Sequence, residues 1–383
     1  MADIRLHRMA QVLVHHSLGV EKGMRLGIET GPLAIPLLHE IVREAIHVGA
    51  HPEIFLQLPT VQEIVLKDGS DDQIRYVPTY RKVMFEEFET VLQVKAEENL
   101  KHLSNIKLER LALVQQMDGN VRHTMMRRAV EESVRHTLTL FPTNAYAQDA
   151  NMSLHDFEDF FYRACLLDEE DPVVCWQEIS QQQEQLIHWL QGKHTIHVLA
   201  QDTDLTLSVK GRTWLNEDGR YNFPGGEFFT SPVETSAQGS IYFNALAIHN
   251  GHSVKGVHLY FEDGLVVEAR AAQGQDYLDK ILQLDEGARR LGEFAFGNNR
   301  NVNICTGNIL FDEKLGGTVH LALGSGFPPA GGINRSAIHW DMVCDLRQGG
   351  EVHVDGVLFC KDGTFVVDLL PRSRSIRTKG RTW

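Results

Sequence analysis

Two residues with one between them, His339 and Asp341, stand inside an apolar run that includes Ala337, Ile338, Trp340, Met342 and Val343. On a strand, side chains alternate, so both would project from the same face. A charge among apolar neighbours is costly without a partner. A metal ion is one such partner; a plain His–Asp hydrogen bond in a core is the other. Three further stretches have the same character. His320 lies in a strand-like run from Thr318 to Leu323 that stops at Gly324, Glu293 is flanked by Leu291, Phe294, Ala295 and Phe296, and Glu227 by Phe223, Phe228 and Phe229. Taken singly, each has an ordinary reading, as a structural histidine or a surface carboxylate at a turn. Taken together they form a donor set in which carboxylates can bridge cations and imidazoles suit zinc and its neighbours. Two metals roughly 3.5–4 Å apart can activate a water and polarise a carbonyl, which is hydrolytic chemistry. Glu313 lies in Asp312-Glu313-Lys314, just before the His320 stretch. It suits a ligand, a proton-shuttling base, or an exposed hairpin residue.

The elements that must position these residues follow two regimes. Ile4 to Gly19 predicts a helix, Met24 to Glu29 a strand, Ile35 to Val48 a helix with Pro36 in its first turn and Gly49 as its stop, and Glu53 to Leu58 a strand. Strand, helix and strand in that order predict a βαβ unit and a partly parallel sheet. The turn after the first strand, Glu29-Thr30-Gly31-Pro32, lacks the glycines of a dinucleotide or P-loop site. Gln62 to Glu98 reads as charged and mixed, with helical stretches. Leu108 to Gln115 is expected to be a strand, Asn120 to Arg135 a helix and Thr137 to Phe141 a strand. Helices follow over Leu154–Leu167 and Val173–Leu190, the second capped by Asp171 and Pro172. From about residue 195 the pattern turns to strands and Asp-Gly or Gly-Gly turns, with one helix near Asp276–Leu284. The expectation is an α/β protein. An N-terminal α/β domain with a partly parallel sheet (1–194) precedes a β-rich α+β metal-binding domain (195–383).

The chain has 383 residues and a formal net charge of −14, which disfavours nucleic acid and anionic membrane as partners. Its 43% hydrophobic and 23% charged shares are those of a soluble globular protein. No run reads as a signal peptide or membrane span. Five cysteines without a CxxC pair suit reduced thiols in the cytoplasm. Cys344 alternates away from His339 and Asp341. The basic tail from Arg372 to Trp383 reads as an exposed or packed terminus.

The stretches around Glu227 (GGEFFTSP), Glu293 (LGEFAFGNN), Glu313 and His320 (DEKLGGTVHLALGSGF) and His339 (GGINRSAIHWDM), in that order, resemble the aminopeptidase T family of metallopeptidases. The resemblance extends through the N-terminal half, including VEKGMRLGIET. It implies a C-terminal domain carrying two divalent metal ions (Zn, Co or Mn), homodimers with enclosed sites, and removal of N-terminal residues from short peptides. It further implies that Glu227, Glu293, Glu313, His320, His339 and Asp341 are ligands, with Glu293 and Glu313 catalytic. One departure stands out. Where the family has an active-site tyrosine after a GSG turn, this chain has Phe327. A phenyl ring cannot donate to an oxyanion, and losing one such donor typically costs about 10²–10³ in rate. Tyr221, Tyr242 or Tyr260 would have to substitute, or the reaction would slow or differ. The competing expectation is an iron-dependent ring-cleaving dioxygenase using His320, His339 and Asp341 as a two-His-one-carboxylate triad.

Overall fold

The structure, a computed structural model, describes residues 3–249 and 251–368. The basic C-terminal tail lies outside the described residues. The first helix, Ile4–Gln11, is capped by the Asp3 carboxylate and runs on as a π-helical turn, Val12–Ser17. Arg25–Thr30 then starts a parallel sheet, and Ile35–Val48 returns over it, ending at Gly49 in the left-handed conformation (φ 86°). The sheet order is His51–Leu56, Arg25–Thr30, Thr90–Lys95, Arg135–Leu140 and, last, Asn222–Phe223. All four pairings are parallel. The fifth strand therefore comes from the second half of the chain.

Two expectations fail here. Leu108 to Gln115 is not a strand but the start of a 23-residue helix, Leu108–Val130. Leu, Glu, Arg, Ala and Gln dominate the segment and favour helix, and only Val114 is β-branched. The strand Thr90–Lys95, hidden in a stretch expected to hold helices, is instead central in the sheet, with Thr90, Val91 and Leu92 wholly buried. Glu86, Glu87 and Glu89 before it, and Glu97 and Glu98 after it, obscure its short apolar signal.

An eight-stranded antiparallel sheet begins with Thr195–Ala200. Its hairpins turn at Asp263-Gly264, Asp355-Gly356 and Asp362-Gly363. Both residues of each turn have positive φ (48° and 76°, 49° and 79°, 47° and 69°), the conformation that suits Asp-Gly and matches strand twist. Behind it lies a five-stranded antiparallel sheet, ordered His339–Asp345, Thr318–Gly324, Leu291–Gly297, Glu227–Thr230, Leu215–Glu217.

Alternation divides this second sheet sharply. One face carries Phe228, Phe294, Phe296, Leu321, Trp340 and Met342, all in the core shared with the eight-stranded sheet. Phe296 meets Phe359 and Phe365 there at ring separations of 5.3 and 5.7 Å. The opposite face turns toward the N-terminal half, whose core takes in Phe311, Leu315 and Val343. Phe311 packs edge-on against Phe160 at 5.3 Å. The Asn299 amide donates to the Ala164 carbonyl at 2.9 Å, fastening the two halves together.

Candidate metal centre

The register of the five-stranded sheet gathers the predicted residues. Glu227 lies opposite Gly297, Ala295 opposite His320, Glu293 opposite Ala322, Ala322 opposite Asp341, and Gly324 opposite His339. Residues directly opposite on an antiparallel pair share a face. Glu227, Glu293, His320, His339 and Asp341 thus emerge on one face, separated by Ala295, Gly297, Ala322 and Gly324, which leave room between them. At Gly297 a methyl group would meet the Leu315 carbonyl oxygen at 2.2 Å, so the chain crosses there too closely for any side chain. Glu313 arrives from outside the sheet, at the end of the short Ile309–Asp312 helix.

Two groups result. Glu227, Glu313 and His320 have one ligand atom each within 4.8 Å of one another, and so have Glu293, His339 and Asp341. Glu227, Glu293 and His320 are almost wholly buried, at 4%, 4% and 1% exposure. The His320 Nε2 lies 3.1 Å from Glu227 Oε2 and 3.8 Å from Glu293 Oε1. The His339 Nε2 lies 3.0 Å from Glu293 Oε2 and 3.5 Å from Asp341 Oδ2, while its Nδ1 is 2.8 Å from the Ser325 carbonyl oxygen. That second contact has Nδ1 donating to the carbonyl, which leaves Nε2 as the nitrogen that would face a metal ion. Glu293 stands between the two groups, with one oxygen toward each histidine.

The donor set fits divalent cations. Four carboxylates and two imidazoles converge in one buried space, and Glu227 Oε2, His320 Nδ1 and Asp341 Oδ1 are buried without a well-directed hydrogen bond. Buried polar atoms left in that state are uncommon and costly. Burial disfavours the charged histidines, but Glu227 and Glu293 outweigh it at His320, and Asp341 outweighs it at His339, so both imidazoles are driven well above their usual range. Burial likewise opposes the Asp341 carboxylate, yet His339 holds it down to about 2. Burial pushes Glu313 up to about 8, with Lys314 pulling against it and Glu227 and Asp341 adding to it. Four buried carboxylates set against two imidazoles are an arrangement that a divalent cation would relieve.

Sequence reasoning missed three neighbours. Lys314 is fully buried, its ammonium 2.9 Å from Glu227 Oε1 and in closer contact with Glu313. Glu217 lies directly across from Glu227, and burial raises its carboxyl to about 8. It accepts from the backbone N–H groups of Gly219, Tyr221 and Asn222. His249 stacks on Trp340 at 5.3 Å, with its Nδ1 2.8 Å from the Tyr277 hydroxyl. Lys314 was visible beside Glu313, but nothing in sequence marks a lysine as buried. Glu217 and His249 come from distant segments without a local signal.

Phe327 sits where the resemblance calls for a tyrosine. Its ring meets His339 edge-on at 5.0 Å and Phe229 at 4.9 Å. Tyr242 and Tyr260 are engaged with His258 on the eight-stranded sheet, and Tyr221 is 58% exposed. A cavity of about 720 Å³ opens elsewhere, beyond the carboxyl ends of the parallel strands, and no residue of the cluster lines it.

The sequence model of the M29 thermophilic metalloproteases matches residues 2–365. Aminopeptidase T of Thermus thermophilus is 25% identical, across 94% of this chain and 95% of that protein. Aminopeptidase 2 of Geobacillus stearothermophilus is 24% identical, across 94% of each. Aminopeptidase PepS of Streptococcus thermophilus is 25% identical, across 92% of this chain and 94% of its own. The solved structure of wild-type AmpT from Thermus thermophilus superposes with a TM-score of 0.82 at 21% identity, covering 95% of this chain and 99% of that one. The dioxygenase alternative finds no support: His320 and His339 fall in different groups, and the family model that matches the chain is one of metalloproteases. The chain belongs to the M29 family of metalloproteases, the family in which the resemblance to aminopeptidase T had placed it.

Proposed function

We propose that this metalloprotease is an aminopeptidase that releases N-terminal residues from short peptides. It would hold two divalent ions (zinc, cobalt or manganese), one on Glu227, Glu313 and His320, the other on Glu293, His339 and Asp341. The observation that carries this reading is the position of Glu293, with Oε1 3.8 Å from the histidine of one group and Oε2 3.0 Å from that of the other. A carboxylate with one oxygen toward each group could help to hold an ion in either. Divalent ions bound there would supply an activated water and an electrophile for the scissile carbonyl.

The chain's own residues supply the rest. Four adjacent strands fix the donors before substrate arrives, so little reorganisation is needed. Glu313 keeps 15% side-chain exposure beside the buried cluster. In this reading it takes the proton from the attacking water and returns it to the departing amine. Phe327 forms an apolar wall against His339 and donates nothing. Five free cysteines accord with a cytoplasmic setting. A homodimer with enclosed sites belongs to the same proposal, as does a division near residue 195 into an N-terminal domain and a catalytic one.

The test is hydrolysis of short peptides, each with a free and an acetylated N-terminus, by chelator-stripped protein refilled with zinc, cobalt or manganese. Metal-dependent cleavage confined to the free-amine peptides is expected. Equal cleavage of acetylated peptides, or none of either with any metal, would overturn the reading.

A further inference from the structure

Lys314 stands where a cation is wanted. Its side chain is wholly inaccessible to solvent, and its ammonium contacts the Oε1 atoms of both Glu227 and Glu313. These two residues, with His320, make up one of the two ligand groups. The backbone fixes it there: the Lys314 N–H donates to the Phe311 carbonyl at 2.9 Å, and its own carbonyl accepts from Asn299 at 2.9 Å. The other group is built differently. Among the described residues, the carboxylates of that group, Glu293 and Asp341, form ion pairs only with His320 and His339.

Resting on the two-ion reading above, we propose that Lys314 is a built-in competitor for one of the ions. The ammonium already supplies positive charge to the Glu227 and Glu313 oxygens. A divalent ion binding those oxygens at about 2.0–2.2 Å must take the space next to them, and the ammonium cannot stay. Loading is then sequential. The Glu293, His339 and Asp341 group fills first and tightly. The Glu227, Glu313 and His320 group fills only when an ion displaces Lys314 from its two carboxylates. Breaking a buried pair of that kind weakens the second step on the order of 10²-fold or more. Lys314 thereby keeps the inner carboxylates compensated when one ion is bound. It also makes full loading depend on ambient metal concentration.

The experiment counts ions rather than turnover. Zinc per chain is measured by mass spectrometry after dialysis of the loaded full-length protein, and titrated by calorimetry against a competing chelator. The wild type is expected to retain one zinc and to titrate in two steps separated by about 10²-fold or more in Kd. Lys314→Met, which removes the ammonium and keeps the bulk, is expected to retain two zinc ions, with its steps merging to within about tenfold. Should Lys314→Met not fold, His339→Ala in the otherwise wild-type chain decides: it should retain no zinc after dialysis. Two zinc ions retained by the wild type, an unchanged second step in Lys314→Met, or one zinc retained by His339→Ala would each overturn the role of Lys314 while leaving a metalloenzyme. No zinc bound by the wild type at any concentration would instead overturn the metal-dependent reading itself.

Discussion

The parallel sheet and the five-stranded antiparallel sheet both bury polar side chains, but they satisfy them in opposite ways. In the parallel sheet the hydroxyls of Thr90, Thr30, Thr137 and Thr139 donate to the carbonyls of Arg25, Val94, Arg220 and Phe223, at 2.9, 3.0, 2.6 and 2.7 Å. Its buried carboxylate, Glu29, accepts from the Gln57 and Gln93 amides and lies 3.4 Å from the Arg81 guanidinium. Gln93 in turn contacts the His136 Nε2 at 2.9 Å. In the antiparallel sheet, four carboxylates and two histidines face one another, and oxygen or nitrogen atoms of Glu227, His320 and Asp341 are left over. Burial of polar groups therefore does not itself mark a site. What marks it is a demand for positive charge that the protein's own donors, Lys314 included, meet only in part.

The largest way to break this contrast is Glu293→Gln. It removes the charge that faces both histidines while keeping the shape. We expect kcat/KM for a free-amine dipeptide to fall about 10³-fold or more, with the circular dichroism spectrum unchanged. Full activity in this variant would remove Glu293 from the centre. Next comes metal itself. Zinc at 100 times its Kd should stabilise the stripped protein by about 2.7 kcal/mol, read as an upward shift in Tm. A Tm indifferent to zinc would mean that the leftover carboxylates are not a metal site. On the other sheet, Glu29→Leu strands the amides of Gln57 and Gln93 and should cost about 2–3 kcal/mol in denaturant unfolding. Its zinc content should stay that of the wild type, because the network serves structure only; lost zinc would couple the two sheets.

Much of this contrast is legible in the amino-acid sequence. Period-two alternation puts His339 and Asp341 on one face and Trp340 and Met342 on the other, and the sheet is built that way. The grouping of Glu227, Glu313 and His320 apart from Glu293, His339 and Asp341 is not legible there. It depends on register between strands up to about a hundred residues apart, and on a loop that carries Glu313 in from outside the sheet. The small residues that make room, Ala295, Gly297, Ala322 and Gly324, acquire that meaning only once each is seen opposite a donor. The central strand Thr90–Lys95 is hidden for a different reason. A strand covered on both faces needs no alternation, and six residues between acidic runs give helix and strand patterns little to separate them.

The smallest effect comes from pH and again separates the sheets. The His136 ring is half-buried, and burial lowers its pKa from 6.5 to about 4. The unfolded chain therefore takes up a proton near pH 6.5 that the folded chain refuses until near pH 4. With the folded pKa depressed, the contribution to stability is fully present above pH 6.5 and is lost as pH falls through the window down to about 4. The loss should come to about 1–3 kcal/mol, toward the lower end because the ring keeps some contact with solvent. His136→Gln has no proton to bind and should show a flatter stability profile across that window in urea unfolding. All other groups are the same in both proteins, so the difference between the two profiles isolates His136. Parallel profiles would mean that the ring is protonated in the fold after all. The parallel sheet would then hold an uncompensated charge of its own, and the contrast with the metal centre would narrow.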